Sequence, residues 1–196
     1  ASNANRTDIM NQDWTTFLTE HGLAAGGASF GDLGSELATA RSGSILCPLL
    51  DHGLIRASGV DAADFLHNLL TNDVKSLGGA NARFAGMCTA KGRLLAVFLV
   101  WRDGDDFLLM LPREILPAIL KKLSMYVLRA KVKLTDATAE LSLVGFASGT
   151  QPPSPTLVDL PRLGVGSISG SRAIRLDPHR WLLALVPDEA ISVWQG

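Results

Sequence analysis

Three short stretches gather residue types that could hold a polar ligand: Asp51-His52-Gly53, Thr71-Asn72-Asp73 and Cys88-Thr89-Ala90-Lys91-Gly92-Arg93. In the last, two cations flank a glycine, so an anion could meet a charged pair while the bare backbone between them comes close. The arginine would grip a carboxylate through two parallel N–H donors. Asn72 and Asp73 follow a helical pattern, and both residue types tolerate the left-handed turn that ends a helix. An ordinary C-terminal turn is therefore the competing reading of that pair, and a solvated hairpin tip is the competing reading of Lys91-Gly92-Arg93. His52 and His67 have no second histidine, cysteine or carboxylate at metal-ligand spacing, which fits satisfied or surface histidines. The sequence contains no GxSxG, no Walker A loop and no GxGxxG, so acyl transfer, nucleoside triphosphate and dinucleotide chemistry lack support.

The bulk properties narrow the partners. A chain of 196 residues is one large domain or two small ones, with a core of its own. With 18 basic and 19 acidic residues and a net charge of −1, charge gives no reason to expect nucleic acid or an acidic membrane surface. A small neutral or mildly anionic ligand fits better. Two cysteines, Cys47 and Cys88, make no disulfide framework and no CxxC motif; buried or idle thiols in a reducing cytoplasm are expected. No run of about 18 apolar residues spans a bilayer and the N-terminus has no apolar signal core, so a soluble cytoplasmic protein is expected. Met10 stands as a candidate natural start.

These candidates need elements to position them. A short helix is expected near Trp14 to His21, then a Gly-, Ala- and Ser-rich approach segment from Ala24 to Gly43. Leu54 to Ser58 reads as a strand, Gly59 as a break and Val60 to Leu70 as a helix, with Phe65, Leu66, Leu69 and Leu70 on one face and Ser58 or Asp61 as cap. Arg83 to Thr89, Leu94 to Trp101 and Phe107 to Leu111 form a meander. Pro112 is expected to open a helix bearing Ile115, Leu116, Ile119, Leu120 and Leu123, followed by strands Lys131 to Leu134 and Leu141 to Phe146.

The order β-α-β-β-β-α-β-β predicts an α+β fold: a mainly antiparallel sheet with helices on one face and ferredoxin-like elements. Gln151-Pro152-Pro153-Ser154-Pro155 reads as a linker, because proline fixes its own φ and restricts the residue before it. A partial second α/β unit follows, with strands Ala173 to Leu176 and Trp181 to Val186 and a helix start at Pro187-Asp188-Glu189-Ala190. The expected division is an N-terminal tail and approach segment over 1–43, a ligand-binding domain over 44–149, and the start of a second, truncated domain over 156–196.

The segments resemble a known family in their order. Leu54-Ile55-Arg56-Ala57-Ser58-Gly59-Val60-Asp61-Ala62, Phe65-Leu66, Leu70-Thr71-Asn72-Asp73-Val74, Ala90-Lys91-Gly92-Arg93 and Tyr126-Val127-Leu128-Arg129-Ala130-Lys131-Val132 resemble the amino-terminal part of the YgfZ family, which is similar to the glycine-cleavage aminomethyltransferases. Each motif is weak alone, but five in order are hard to obtain by chance. The resemblance is good over residues 45–147 and loose beyond.

The resemblance implies domains arranged in a ring around a channel that holds tetrahydrofolate or another folate, and a role in assembling or repairing iron–sulfur clusters, including those of tRNA-modifying enzymes. It implies iron–sulfur proteins as partners; direct contact to nucleic acid or membrane is not expected, as the charge balance already suggests. It places Asn72 and Asp73 near the pterin, Lys91 and Arg93 near the anionic tail, and His52 in the lining, where its ring could stack.

Two departures qualify the resemblance. The aminomethyltransferases carry paired acids on the strand after the glycine turn, whereas Leu94-Leu95-Ala96-Val97 has none, so no general acid or base acts from there. The family's Lys-Gly-Cys-Tyr-x-Gly-Gln-Glu stretch is also absent, and Cys88 does not match its cysteine. A non-catalytic or weakly catalytic folate-binding accessory protein is the first expectation. Folate-dependent aminomethyl transfer and an interaction module with a decayed folate pocket are the alternatives.

Overall fold

The computed structural model describes residues 14–24, 27, 29–149 and 151–195; Met10 and the polar stretch before Trp14 lie outside them. Residues 14–20 form α1. There follow α2 (Leu33–Ser42), β1 (Ser44–Pro48), β2 (His52–Ser58), α3 (Ala62–Leu69), β3 (Arg83–Cys88), β4 (Leu94–Asp103) and β5 (Asp106–Pro112). Beyond them come α4 (Leu116–Tyr126), β6 (Lys133–Asp136), β7 (Ser142–Ser148), a single 3-10 turn (Pro155–Leu157), β8 (Val165–Ile168), β9 (Ser171–Asp177), β10 (Arg180–Leu185) and α5 (Pro187–Gln195). Every strand pair with a defined register is antiparallel, and the fold is α+β as expected.

Two compact units form: Asp51–Thr138 with Leu163–Val165, and the described residues of Ala1–Leu50 with Ala139–Arg162 and Gly166–Gly196. The first is built on the sheet β3-β4-β5-β2-β6. Alternate residues of its strands, Ile55 and Ala57, Ala85 and Met87, Ala96, Phe98 and Val100, Phe107, Leu109 and Leu111, join Phe65 and Leu66 of α3 and Leu116, Ile119 and Leu123 of α4 in one core. The period of two sends one face of each strand to the helices. Burying one such large side chain contributes about 1.5–3 kcal/mol. Arg56 on β2 ties down the β4–β5 turn through Asp103 at 3.0 Å and Asp106 at 3.2 Å.

Local chemistry moves several boundaries. Helix α3 starts at Ala62, and its N-cap residue Asp61 makes no side-chain cap bond; the carboxylate accepts instead from the Lys131 amide at 2.7 Å. That contact holds residues 131 and 132 out of strand geometry, so β6 begins at Lys133 rather than Lys131. Pro112 ends β5 rather than opening α4. A proline lacking its N–H suits a strand end, and Pro117 takes the first-turn position in α4.

The other unit carries the sheet β1-β7-β10-β9-β8. Its core gathers Trp14, Phe17 and Leu18 of α1 with Val144, Ala173, Trp181, Leu183, Leu185 and Ala190. The approach segment expected from Ala24 to Gly43 contains α2, capped by Asp32 Oδ1 accepting from the Gly34 amide at 3.0 Å. None of its ten residues is buried, so there was no apolar period to read. Strand β1 was likewise missed, and β8 with it. Cys47, expected to be buried or idle, is exposed on β1.

Candidate functional site

The turn between β3 and β4 is closed by its own first residue. The Thr89 amide donates to the Arg93 carbonyl at 2.8 Å, Thr89 Oγ1 accepts from the Arg93 amide at 3.1 Å, and the Gly92 amide donates back to the Thr89 carbonyl at 2.9 Å. Gly92 has φ +76°, a conformation that costs glycine nothing. Lys91 and Arg93 are both exposed on this tip.

Asn72 and Asp73 run along the outer edge of β3. The Thr71 amide donates to the Gly86 carbonyl at 2.9 Å, Thr71 Oγ1 accepts from the Gly86 amide at 2.8 Å, and Asn72 Nδ2 donates to the Phe84 carbonyl. Asn72 keeps its Oδ1 acceptor without a partner among the described residues. The Asp73 carboxylate is engaged locally. It accepts from the Ser76 amide at 3.1 Å and from the Ser76 hydroxyl, with His67 Nδ1 at 3.2 Å and Arg83 at 3.9 Å. The Ser76 hydroxyl, then the Ser76 amide, with His67 and Arg83 adding charge, hold its pKa below the ordinary carboxylate value.

His52 opens β2 opposite Pro112 of β5, with its Nδ1 2.7 Å from Asp51 Oδ1. Its neighbour Gly53 faces the helices, because a Cβ there would lie 2.6 Å from Leu116 Cδ1. The alternation therefore puts His52 on the sheet's other face. The same alternation places Phe84, Gly86, Val97 and Leu99 on that face, with Gly86 opposite Val97 and Phe84 opposite Leu99.

That face is buried at its centre by Leu54, Leu99, Trp101 and Leu108 but opens towards the β3–β4 hairpin. There Phe84 is 42% exposed, Val97 47% and Leu94 59%. A Cβ on Gly86 would come 2.9 Å from Leu94 Cδ1 and 3.2 Å from Thr71 Oγ1, so Leu94 and Thr71 lie across the bare glycine. The result is an apolar shelf, with Asn72 on its edge and the two cations at its tip. Sequence reading named the polar residues beside it and missed the shelf. Its signal was present: Phe84, Leu94 and Val97 break the in-out alternation by being apolar on both faces.

Of the acid-free stretch, Ala96 is in the core and Leu94 and Val97 are on the shelf, so no carboxylate of β4 reaches it from there. Among the described residues no cluster of His, Cys, Asp and Glu could hold a metal, and no helix is long and apolar enough to cross a membrane.

The fold is that of the glycine-cleavage aminomethyltransferases. Aminomethyltransferase T from Bartonella henselae matches 93% of this chain and 55% of its own length, with a TM-score of 0.72 and 18% identity. By sequence, the chain is a relative of the YgfZ proteins. The tRNA-modifying protein YgfZ of Vibrio vulnificus is 30% identical over 138 residues, which are 70% of this chain and 42% of that protein. The mitochondrial iron–sulfur cluster assembly factor IBA57 homolog of Mycosarcoma maydis is 31% identical over 147 residues, 67% of this chain and 36% of that protein. The chain thus spans less than half the length of these curated relatives. No family model matches the sequence.

Proposed function

We propose that this chain supplies a folate-binding surface to a protein of iron–sulfur cluster assembly or repair, and through it to tRNA modification. The open shelf of Phe84, Leu94 and Val97 around Gly86 carries the reading. A pterin is a flat ring with polar edges, and it suits an apolar face with a few acceptors beside it. Asn72 Oδ1 serves as one such acceptor, and His52 lies farther across the same face. Asp73 holds the loop that presents Asn72. Lys91 and Arg93 meet the carboxylates of the folate tail. The relatives' names support the cellular role, with iron–sulfur proteins as partners; the cytoplasm is the place proposed for it. Binding here proceeds without aminomethyl transfer, because β4 offers no acid at the shelf.

The test is calorimetric titration of the chain with folinic acid, compared with Phe84→Ala and Val97→Glu. Both positions are exposed, so the fold is kept. Each change should weaken binding by about tenfold, the loss of one apolar contact or the arrival of a repelling charge. Affinity untouched by both overturns the assignment.

A further inference from the structure

A second concavity lies in the other unit, between α2 and the edge strand β1. It is a cleft of about 460 Å³, within the usual range for small-molecule sites. Leu33 and Leu37, four residues apart on α2, line it together with Ile45 of β1. Both leucines are more than half exposed, at 57% and 51%, on a helix with no buried residue at all. Helices owe most of their stability to burying an apolar face, so this one gains by covering that stripe. Phe30 and Trp194 close the cleft with rings 5.0 Å apart and tilted by 37°.

Charge selects the occupant. Glu36 is the one ionisable acid or base along the described lining other than the Cys47 thiol, and no lysine, arginine or histidine lines it. Its Oε1 is used by the Ser29 hydroxyl at 3.0 Å and the Phe30 amide at 2.7 Å, while Oε2 accepts from no described residue. A carboxylate with an open oxygen in an apolar wall repels anions and favours an ammonium group, and aromatic ring faces add to that preference. We propose that this cleft binds an apolar amine, its ammonium at Glu36 Oε2 and its body against Leu33, Leu37 and Ile45. A folate, being anionic, is excluded from it, so the inference stands apart from the reading of the β3–β4 shelf.

The experiment titrates the full 196-residue chain with tryptamine, indole and indole-3-acetate, an amine, a neutral and an anionic probe of one shape, and follows backbone amide shifts by NMR. Tryptamine should saturably shift residues 29–40 and 45–47, binding about tenfold more tightly than indole, with indole-3-acetate weakest. Glu36→Gln keeps the Oε1 acceptor and should bring tryptamine to within about twofold of indole. Leu37→Arg, at an exposed position, should abolish binding of tryptamine and indole by filling the cleft and, for tryptamine, by repelling its ammonium. No saturable shifts, shifts confined to other residues, indole-3-acetate binding as tightly as tryptamine, or an amine preference that survives Glu36→Gln would each overturn the proposal.

Discussion

Arg93 and Lys91 sit on a turn whose backbone is held by Thr89, so their charges are aimed without any partner of their own in the turn. A charge-assisted hydrogen bond is worth about 1.5–3 kcal/mol, or roughly tenfold to hundredfold in affinity. Arg93→Ala should weaken folinic acid binding by about that factor, while the exposed control Lys121→Ala should leave it alone. Unchanged affinity and salt dependence for both Arg93→Ala and Lys91→Ala would return the tip to the solvent. Asp73 makes a different prediction. Its carboxyl titrates below its unfolded value, so the stability it adds is present above about pH 4 and is lost as pH falls through the folded value. Ser76→Ala removes the largest cause of that depression. Urea midpoints of the variant and the parent should differ at pH 6 and converge as the pH falls below the folded-state value of Asp73; a gap that persists in acid would show that Ser76 acts by packing instead.

At the scale of elements, the Gly59 break carries a close approach that no periodicity reveals. Its φ is +114°, and a Cβ there would lie 2.1 Å from the Lys131 carbonyl oxygen, a backbone atom. Gly59→Ala should cost more than about 2 kcal/mol in urea unfolding, since strain and collision add; a loss under about 1 kcal/mol would mean that the 131 segment moves aside freely. The break itself was legible from the residue type, as were the meander β3-β4-β5 and the apolar stripe of α4, because each repeats a local period. Sheet membership was not. β7 follows β6 in the chain yet pairs with β1 and β10 in the other sheet, and alternation says which face is buried without saying against which strand. Helix α2 escaped for the opposite reason, since it has a cap and a length but no buried face.

For the molecule as a whole, the rim of the proposed folate site was readable from side-chain chemistry, whereas its floor depended on which way β3 and β4 turn their residues. That floor also limits affinity. With Phe84 and Val97 each more than 40% exposed, a ring laid on the shelf is covered on one side only, whereas small-molecule sites generally bury about 70–90% of their ligand. Half the apolar contact of a pterin-sized ring corresponds to about 1.5–3 kcal/mol at about 25 cal/mol per Å², or roughly tenfold to hundredfold in Kd. This chain should therefore bind folinic acid at least about tenfold more weakly than a full-length YgfZ relative under the same buffer and salt. Side-by-side calorimetry decides the matter. Equal affinities would mean that the shelf closes over its ligand using residues of this chain alone. New hydrogen-exchange protection at amides outside β3 and β4 on adding folinic acid would then identify the segment that moves.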